Sequence, residues 1–177
     1  MRITAGNLRH RNINMTNLET TRETQDKVRM AIFNMLGQYF LGGKCLDLFA
    51  GSGAMAIEAY SRGFSEIYLN DLEIKAINVC KENCKSLGIN DAKFYNYDYI
   101  DYFKNVNEKY DLIILDPPYK LDNTLEILSL CKNYLNNNGK IAFEMKKESN
   151  EAIVDGLTLI KNKSYGIKKV LIYKKEE

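Results

Sequence analysis

The sequence predicts a doubly wound α/β domain with a mainly parallel sheet, and three observations carry that expectation. From Lys44 onward, short aliphatic runs alternate with longer amphipathic stretches, the pattern of repeated strand–helix–strand units. The run Asp111-Leu112-Ile113-Ile114-Leu115 is almost entirely aliphatic, as a strand covered on both faces must be. The residues that follow the strands are glycine or acidic: Ala50-Gly51-Ser52-Gly53, Asp71, Asp98 and Asp116. In open α/β sheets, ligands bind at the carboxyl ends of the strands, beside the point where strand order reverses.

Taken in order, residues 1–20 are polar and weakly periodic and read as a basic arm or small hairpin. Val28, Ala31, Ile32, Met35 and Leu36 then fall at i, i+3, i+4, i+7 and i+8, one apolar helical stripe with Gly37 as its stop. Cys45 to Phe49 is a buried strand. Ala54 to Arg62 is a helix with Ser52 near its start and Gly63 as its stop. Glu66 to Asn70 is a strand. Glu73 to Leu87 is a helix with Ile74, Ile77 and Cys84 on one side, ended by Gly88. Ala92 to Tyr97 is a strand, Tyr99 to Phe103 a short helix, and 111–115 the central strand. Asn123 to Leu135 is a helix and Lys140 to Glu144 a strand. A short helix is expected near Asn150 to Asp155, followed by a final antiparallel pair, Leu157 to Lys163 and Lys169 to Tyr173.

Composition narrows the chemistry. A chain of 177 residues fits one domain spanning 1–177. No apolar run reaches the ~18 residues of a membrane span. The start, Met1 to Asn7, lacks an apolar signal-peptide core, so export is not expected and the cytoplasm is. A single histidine, His10, nearly excludes Ser-His-Asp catalysis and multi-histidine metal sites. Cys45, Cys80, Cys84 and Cys131 form no Cys-x-x-Cys pair and read as buried, reduced thiols, so no metal is expected. The net charge is only +2, but its placement is uneven. Arg2, Arg9, His10 and Arg11 precede the first acid, Glu19. A second basic run, Lys161, Lys163, Lys168, Lys169, Lys174 and Lys175, reads as a solvated strand edge.

The glycine turn admits two cofactors. Gly51-Ser52-Gly53-Ala54-Met55-Ala56 fits the dinucleotide pattern Gly-x-Gly-x-x-Gly/Ala, and Asp71 stands 20 residues past Gly51, where a ribose-binding acid belongs. That keeps a nicotinamide oxidoreductase in view. Asp47, however, puts a carboxylate where a cationic ligand is welcome and a pyrophosphate is not. S-adenosylmethionine fits the full set: its ammonium near Asp47, its ribose on Asp71 or Glu73, its adenine amine near Asp98, with Phe49, Ala50, Gly51 and Gly53 forming the turn around it.

Asp116-Pro117-Pro118-Tyr119 points the same way. Two prolines remove two backbone donors and stiffen the segment. The exocyclic amine of a nucleobase is a poor nucleophile because its lone pair is delocalised into the ring. If the Asp116 carboxylate and the Pro117 carbonyl accept its two hydrogens, the nitrogen becomes more tetrahedral and its lone pair can be aimed at a sulfonium methyl. Tyr119 would stack on the base, worth ~1–3 kcal/mol. No histidine is needed.

Leu46-Asp47-Leu48-Phe49-Ala50-Gly51-Ser52-Gly53 together with Asp116-Pro117-Pro118-Tyr119 resembles the class I amino-methyltransferases, and more closely the bacterial 16S ribosomal RNA guanine-N2 methyltransferase family. The resemblance runs nearly the full length. It includes the basic start Met1 to Gly6 with Arg9 and Arg11, the segments Arg22 to Arg29 and Ile32-Phe33-Asn34, Glu144 at the end of the fifth strand, and Tyr165-Gly166 with Val170 to Tyr173. The family usually has proline where Glu23 stands and glycine where His10 stands. The resemblance implies a Rossmann-like, seven-stranded methyltransferase sheet with a C-terminal antiparallel hairpin. It also implies S-adenosylmethionine as cofactor and a guanine of 16S ribosomal RNA as substrate; a small-subunit particle as partner and a monomeric enzyme are further expectations. Arg2, Arg9, Arg11, Arg22 and Arg29 are the expected phosphate contacts. Arg22 could instead pair with Glu19, Glu23 or Asp26. The competing readings are a DNA adenine-N6 or cytosine-N4 methyltransferase, for which 177 residues leave no room for a target-recognition domain, and a non-catalytic RNA-binding module.

Overall fold

In the computed structural model, residues 1–17, 26–118, 120–121 and 123–177 are described. The elements are α1 (Asp26–Leu36), β1 (Lys44–Asp47), α2 (Ala54–Ser61), β2 (Glu66–Asn70), α3 (Ile74–Ser86), β3 (Lys93–Tyr95), α4 (Tyr99–Asn105), β4 (Tyr110–Leu115), α5 (Thr124–Lys132), β5 (Leu135–Lys146), β6 (Leu157–Tyr165) and β7 (Lys168–Lys175). They form a seven-stranded sheet of order β3-β2-β1-β4-β5-β7-β6. The first five are parallel neighbours, and β7 runs antiparallel between β5 and β6. The order reverses between β1 and β4, so the crevice expected for a ligand opens beside the Gly51 turn and the Asp116 segment.

The period of two along each strand sorts the core into two layers. Cys45, Leu112, Ile114, Ala142, Val170 and Ile172 face α1, α2 and α3. Leu46, Ile113, Leu115, Ile141, Phe143, Leu171 and Tyr173 face α4 and α5. All four cysteines are free and buried.

The N-terminal arm is a docked hairpin rather than a loose one. Arg2 bridges Asn12, and Ile3 and Ile13 are buried in the core. Its turn carries His10 at φ 69°, a left-handed value that favours glycine, at the position where the resembled family usually has one. Three expectations fail. Residues 150–155 form no helix: their apolar residues Ala152, Ile153 and Val154 are consecutive and cannot make a helical stripe, and Glu151 is tied to Asn162 and Lys169 of the neighbouring strands. β5 overruns the expected Lys140 to Glu144 at both ends: it starts at Leu135, shortening the helix before it, because Tyr110 pairs with Leu135 before the ladder slips at a bulge, and it continues to Lys146 because Met145 and Lys146 pair with β7. Ile74 is 52% exposed, leaving Ile77 and Cys84 to hold α3 on the sheet.

The C-terminal lysines divide. Lys161 and Lys163 lie on the edge strand β6, where charge blocks edge pairing. Lys168 and Lys169 lie on β7 and are buried, paired with Glu144 and Glu151.

Candidate active site

The crevice is built from the ends of β1, β2, β3 and β4. After β1 the chain turns through Gly51 at φ 54° and Gly53 at φ 81°, closed by the Gly53 amide donating to the Ala50 carbonyl at 2.7 Å. A Cβ on Gly53 would lie 2.8 Å from Leu69 Cδ2 and 3.1 Å from the Cys80 sulfur, so both conformation and space demand glycine there. Gly53→Ala is expected to destabilise the protein by about 1–3 kcal/mol, measured by denaturant unfolding, and to weaken any ligand held by the turn. An unchanged midpoint would show that the turn is not under this constraint.

Asp47 is 2% exposed, and its Oδ2 accepts the Ala56 amide of α2 at 3.3 Å. The carboxylate thus anchors the first turn of the helix as well as lying at the crevice. Asp71 holds two loops together: Oδ2 accepts the Gly51 amide and Oδ1 the Glu73 amide, both at 2.9 Å. Burial raises its pKa and those backbone bonds oppose the shift. Each oxygen retains lone-pair capacity for a further donor. Glu73 is exposed. Asp98 is also exposed and caps α4, its Oδ1 accepting the amides of Ile100 at 2.9 Å and Asp101 at 2.8 Å, which leaves Oδ2 outside those bonds. Phe49 is half-buried, its ring 6.3 Å from that of Tyr99.

Asp116 is partly exposed and follows Leu115, the last residue of β4. Pro117 is buried and Pro118 exposed, with the Pro118 carbonyl accepting the Leu121 amide at 2.9 Å. Tyr119 lies outside the described residues. At the same edge of the sheet, an open groove of about 570 Å³ is lined by Thr124, Leu125, Lys146, Glu148 and Ile153, among others.

Several residues of this site carry no signal in their chemistry alone. Asn70, 1% exposed at the end of β2, donates to the carbonyls of Leu48 and Tyr97 and accepts the Tyr97 amide, stapling the loops after β1 and β3. Asn96 does the same for the loop after β2, through the carbonyls of Asp71 and Leu72 at 2.8 Å. Leu72, Tyr97 and Ile100 expose apolar surface beside Asp71 and Asp98.

The basic residues fare unevenly. Arg2, Arg9 and Arg11 are exposed, and Arg11 also donates to the Ser86 carbonyl at the end of α3. The hairpin turn carrying Arg9 docks at Ser61, the far end of α2 from Gly53 and roughly 12 Å along that helix. Arg29 is not a phosphate contact. It is 0% exposed, bonded to Glu58, Asp26 and the Arg2 carbonyl, and serves to hold α1, α2 and the hairpin together. Arg22 lies outside the described residues. Among the described residues no group of three or more His, Cys, Asp or Glu side chains could hold a metal, and no helix is long and apolar enough to cross a membrane.

A seven-stranded sheet with this order and hairpin, a glycine turn after β1 and an Asp-Pro-Pro segment after β4 define the class I methyltransferase fold. The chain belongs to the Conserved hypothetical protein 95 family, whose model matches residues 1–174. It is 38% identical over 182 residues to "Putative rRNA methyltransferase YlbH" of Bacillus subtilis, covering 99% of each chain. It is 32% identical over 179 residues to Ribosomal RNA small subunit methyltransferase D of Haemophilus influenzae, covering 98% of this chain and 93% of that one. Among solved structures, a Haemophilus influenzae protein described as a "putative methylase" matches with TM-score 0.84 and 29% identity, over 100% of this chain and 99% of that one.

Proposed function

We propose that this protein transfers a methyl group from S-adenosylmethionine to the exocyclic N2 amine of a guanine in 16S ribosomal RNA. The observation that carries the reading is that Asp116-Pro117-Pro118 follows β4, directly across the strand-order reversal from the Gly51 turn that follows β1. The names of the relatives support ribosomal RNA of the small subunit as the substrate class.

The residues present fit the cofactor. Asp47 is an anion for its ammonium, Asp71 and Glu73 are acceptors for ribose hydroxyls, and Asp98 Oδ2 is an acceptor for the adenine amine. The exposed apolar surface of Leu72, Tyr97 and Ile100 suits the faces of a purine. When bound, the cofactor supplies an activated methyl group.

The protein's own contribution is orientation. Asp116 and the Pro117 carbonyl accept the two amine hydrogens, directing the nitrogen lone pair toward the crevice. The proton shed after transfer passes to the Asp116 carboxylate, already its hydrogen-bond partner. Tyr119 stacks on the base. A base within an RNA helix must first be splayed out, at about a few kcal/mol, unless it lies in a loop. Arg2, Arg9 and Arg11, all exposed on the docked hairpin, serve the RNA backbone away from the crevice, and the groove beside β5 gives a strand room to pass.

Saturating S-adenosylmethionine at 100 times Kd is expected to stabilise the fold by about 2.7 kcal/mol, a rise of roughly 5–10 °C in Tm for a domain of this size. NADH is expected to leave Tm unchanged. With labelled cofactor, label should enter 16S RNA or immature small-subunit particles and not DNA. A shift with NADH alone, or label on DNA adenine or cytosine, would overturn the reading.

A further inference from the structure

Glu144 lies in β5 beside Asp116, two residues before that strand ends at Lys146. Leu115, the last residue of β4, pairs with Phe143, so Asp116 just past that strand end comes beside Glu144 of β5. Alternation puts both on the face of Ile114 and Ala142, the face toward α1 and α2. Glu144 is 2% exposed. Its Oε1 pairs with Lys168 of β7, which holds the carboxylate in place. Its Oε2 is the only buried side-chain nitrogen or oxygen among the described residues without a hydrogen-bond partner. A buried acceptor left without a donor is destabilising, and a purely structural ion pair does not account for it. Such an atom, one strand from the amine-orienting Asp116, is placed to take a donor from the substrate.

We infer that Glu144 Oε2 accepts the ring N1–H of the target guanine and thereby selects guanine over adenine and cytosine, an assignment that rests on the function proposed above. Guanine presents N2–H and N1–H side by side, two adjacent donors. In adenine and cytosine the ring nitrogen next to the amine is an acceptor. Asp116 takes the amine, common to all three bases, and Glu144 reads the atom beside it. Neighbouring strands lie about 4.8 Å apart, so a carboxylate on β5 and one just past β4 can reach one base edge. Opposite adenine N1 or cytosine N3, the Glu144 oxygen would face a lone pair, leaving two buried acceptors opposed.

The test replaces the target guanine, once located, by 2-aminopurine, which keeps the amine but has no hydrogen on N1. The wild-type protein is expected to prefer guanine by about 100-fold or more in kcat/KM, since a site built around a donor rejects an analogue lacking it. Glu144→Gln, whose amide can turn its NH₂ toward a ring acceptor, is expected to shrink that preference by about tenfold or more, with S-adenosylmethionine affinity retained. A wild-type preference within about threefold would overturn the inference, as would an equal loss on both bases in Glu144→Gln. If the variant fails to fold, the wild-type comparison still overturns the inference where the preference is absent. Guanine N2 methylated without this preference sinks only the role of Glu144, whereas no guanine N2 methylation in any particle sinks the proposed function and this role with it.

Discussion

Glu58→Ala is expected to destabilise the protein by about 3–5 kcal/mol and to undock the N-terminal hairpin. Glu58 sits in α2 with 0% exposure and accepts from five groups: the Thr4 amide at 3.0 Å, the Thr4 hydroxyl at 2.5 Å, the Ala5 amide at 3.1 Å, Arg29 Nε at 3.2 Å and Arg62 Nε at 2.9 Å. Removing it leaves two buried guanidinium groups without their shared anion, and the penalty is mostly theirs. Denaturant unfolding measures the loss, and limited proteolysis of residues 1–13 reports the undocking. Because the three charges act as a unit, Arg62→Ala should cost less in the Glu58→Ala background than alone. A loss below about 1 kcal/mol, the value of a surface pair, would contradict this account of the cluster.

The second large effect concerns chemistry. Asp116→Ala is expected to lower kcat by about 10²–10³-fold, the scale of losing one oriented group at the reacting centre, while cofactor affinity changes little. Asp116→Asn keeps a carbonyl acceptor and loses the charge, so it should fall between alanine and wild type. Single-turnover methylation and a separate binding titration distinguish the two quantities. Parallel loss of binding and turnover would place Asp116 in the cofactor site rather than at the amine.

The sheet was legible because its strands are aliphatic and its helices periodic, and the crevice was legible because glycine, aspartate and proline punctuate strand ends. What escaped was set by tertiary partners. The stripe at 28, 31, 32, 35 and 36 marks one face of α1 and is silent on Arg29, which is buried only because Glu58 lies across from it. The sequence groups Arg29 with the other arginines that precede β1, where a phosphate is the expected partner. Asn70 ends an otherwise apolar strand, Glu66 to Asn70, and only the positions of Leu48 and Tyr97 explain the amide. At 150–155 the ties of Glu151 to β6 and β7 hold the chain out of the expected helix. Glu144 was expected to end its strand, which runs on to Lys146, and its unpaired oxygen is a property of the packed structure alone.

The central claim is that this site methylates the amine of a guanine, and nucleoside analysis of the RNA product tests it most directly. Small-subunit particles treated with the protein and labelled S-adenosylmethionine are digested to nucleosides and resolved by mass spectrometry, with Asp116→Ala as control. The expected result is N2-methylguanosine at one position, absent from the control. Label found as N6-methyladenosine or N4-methylcytidine, or undiminished N2-methylguanosine with Asp116→Ala, would contradict it.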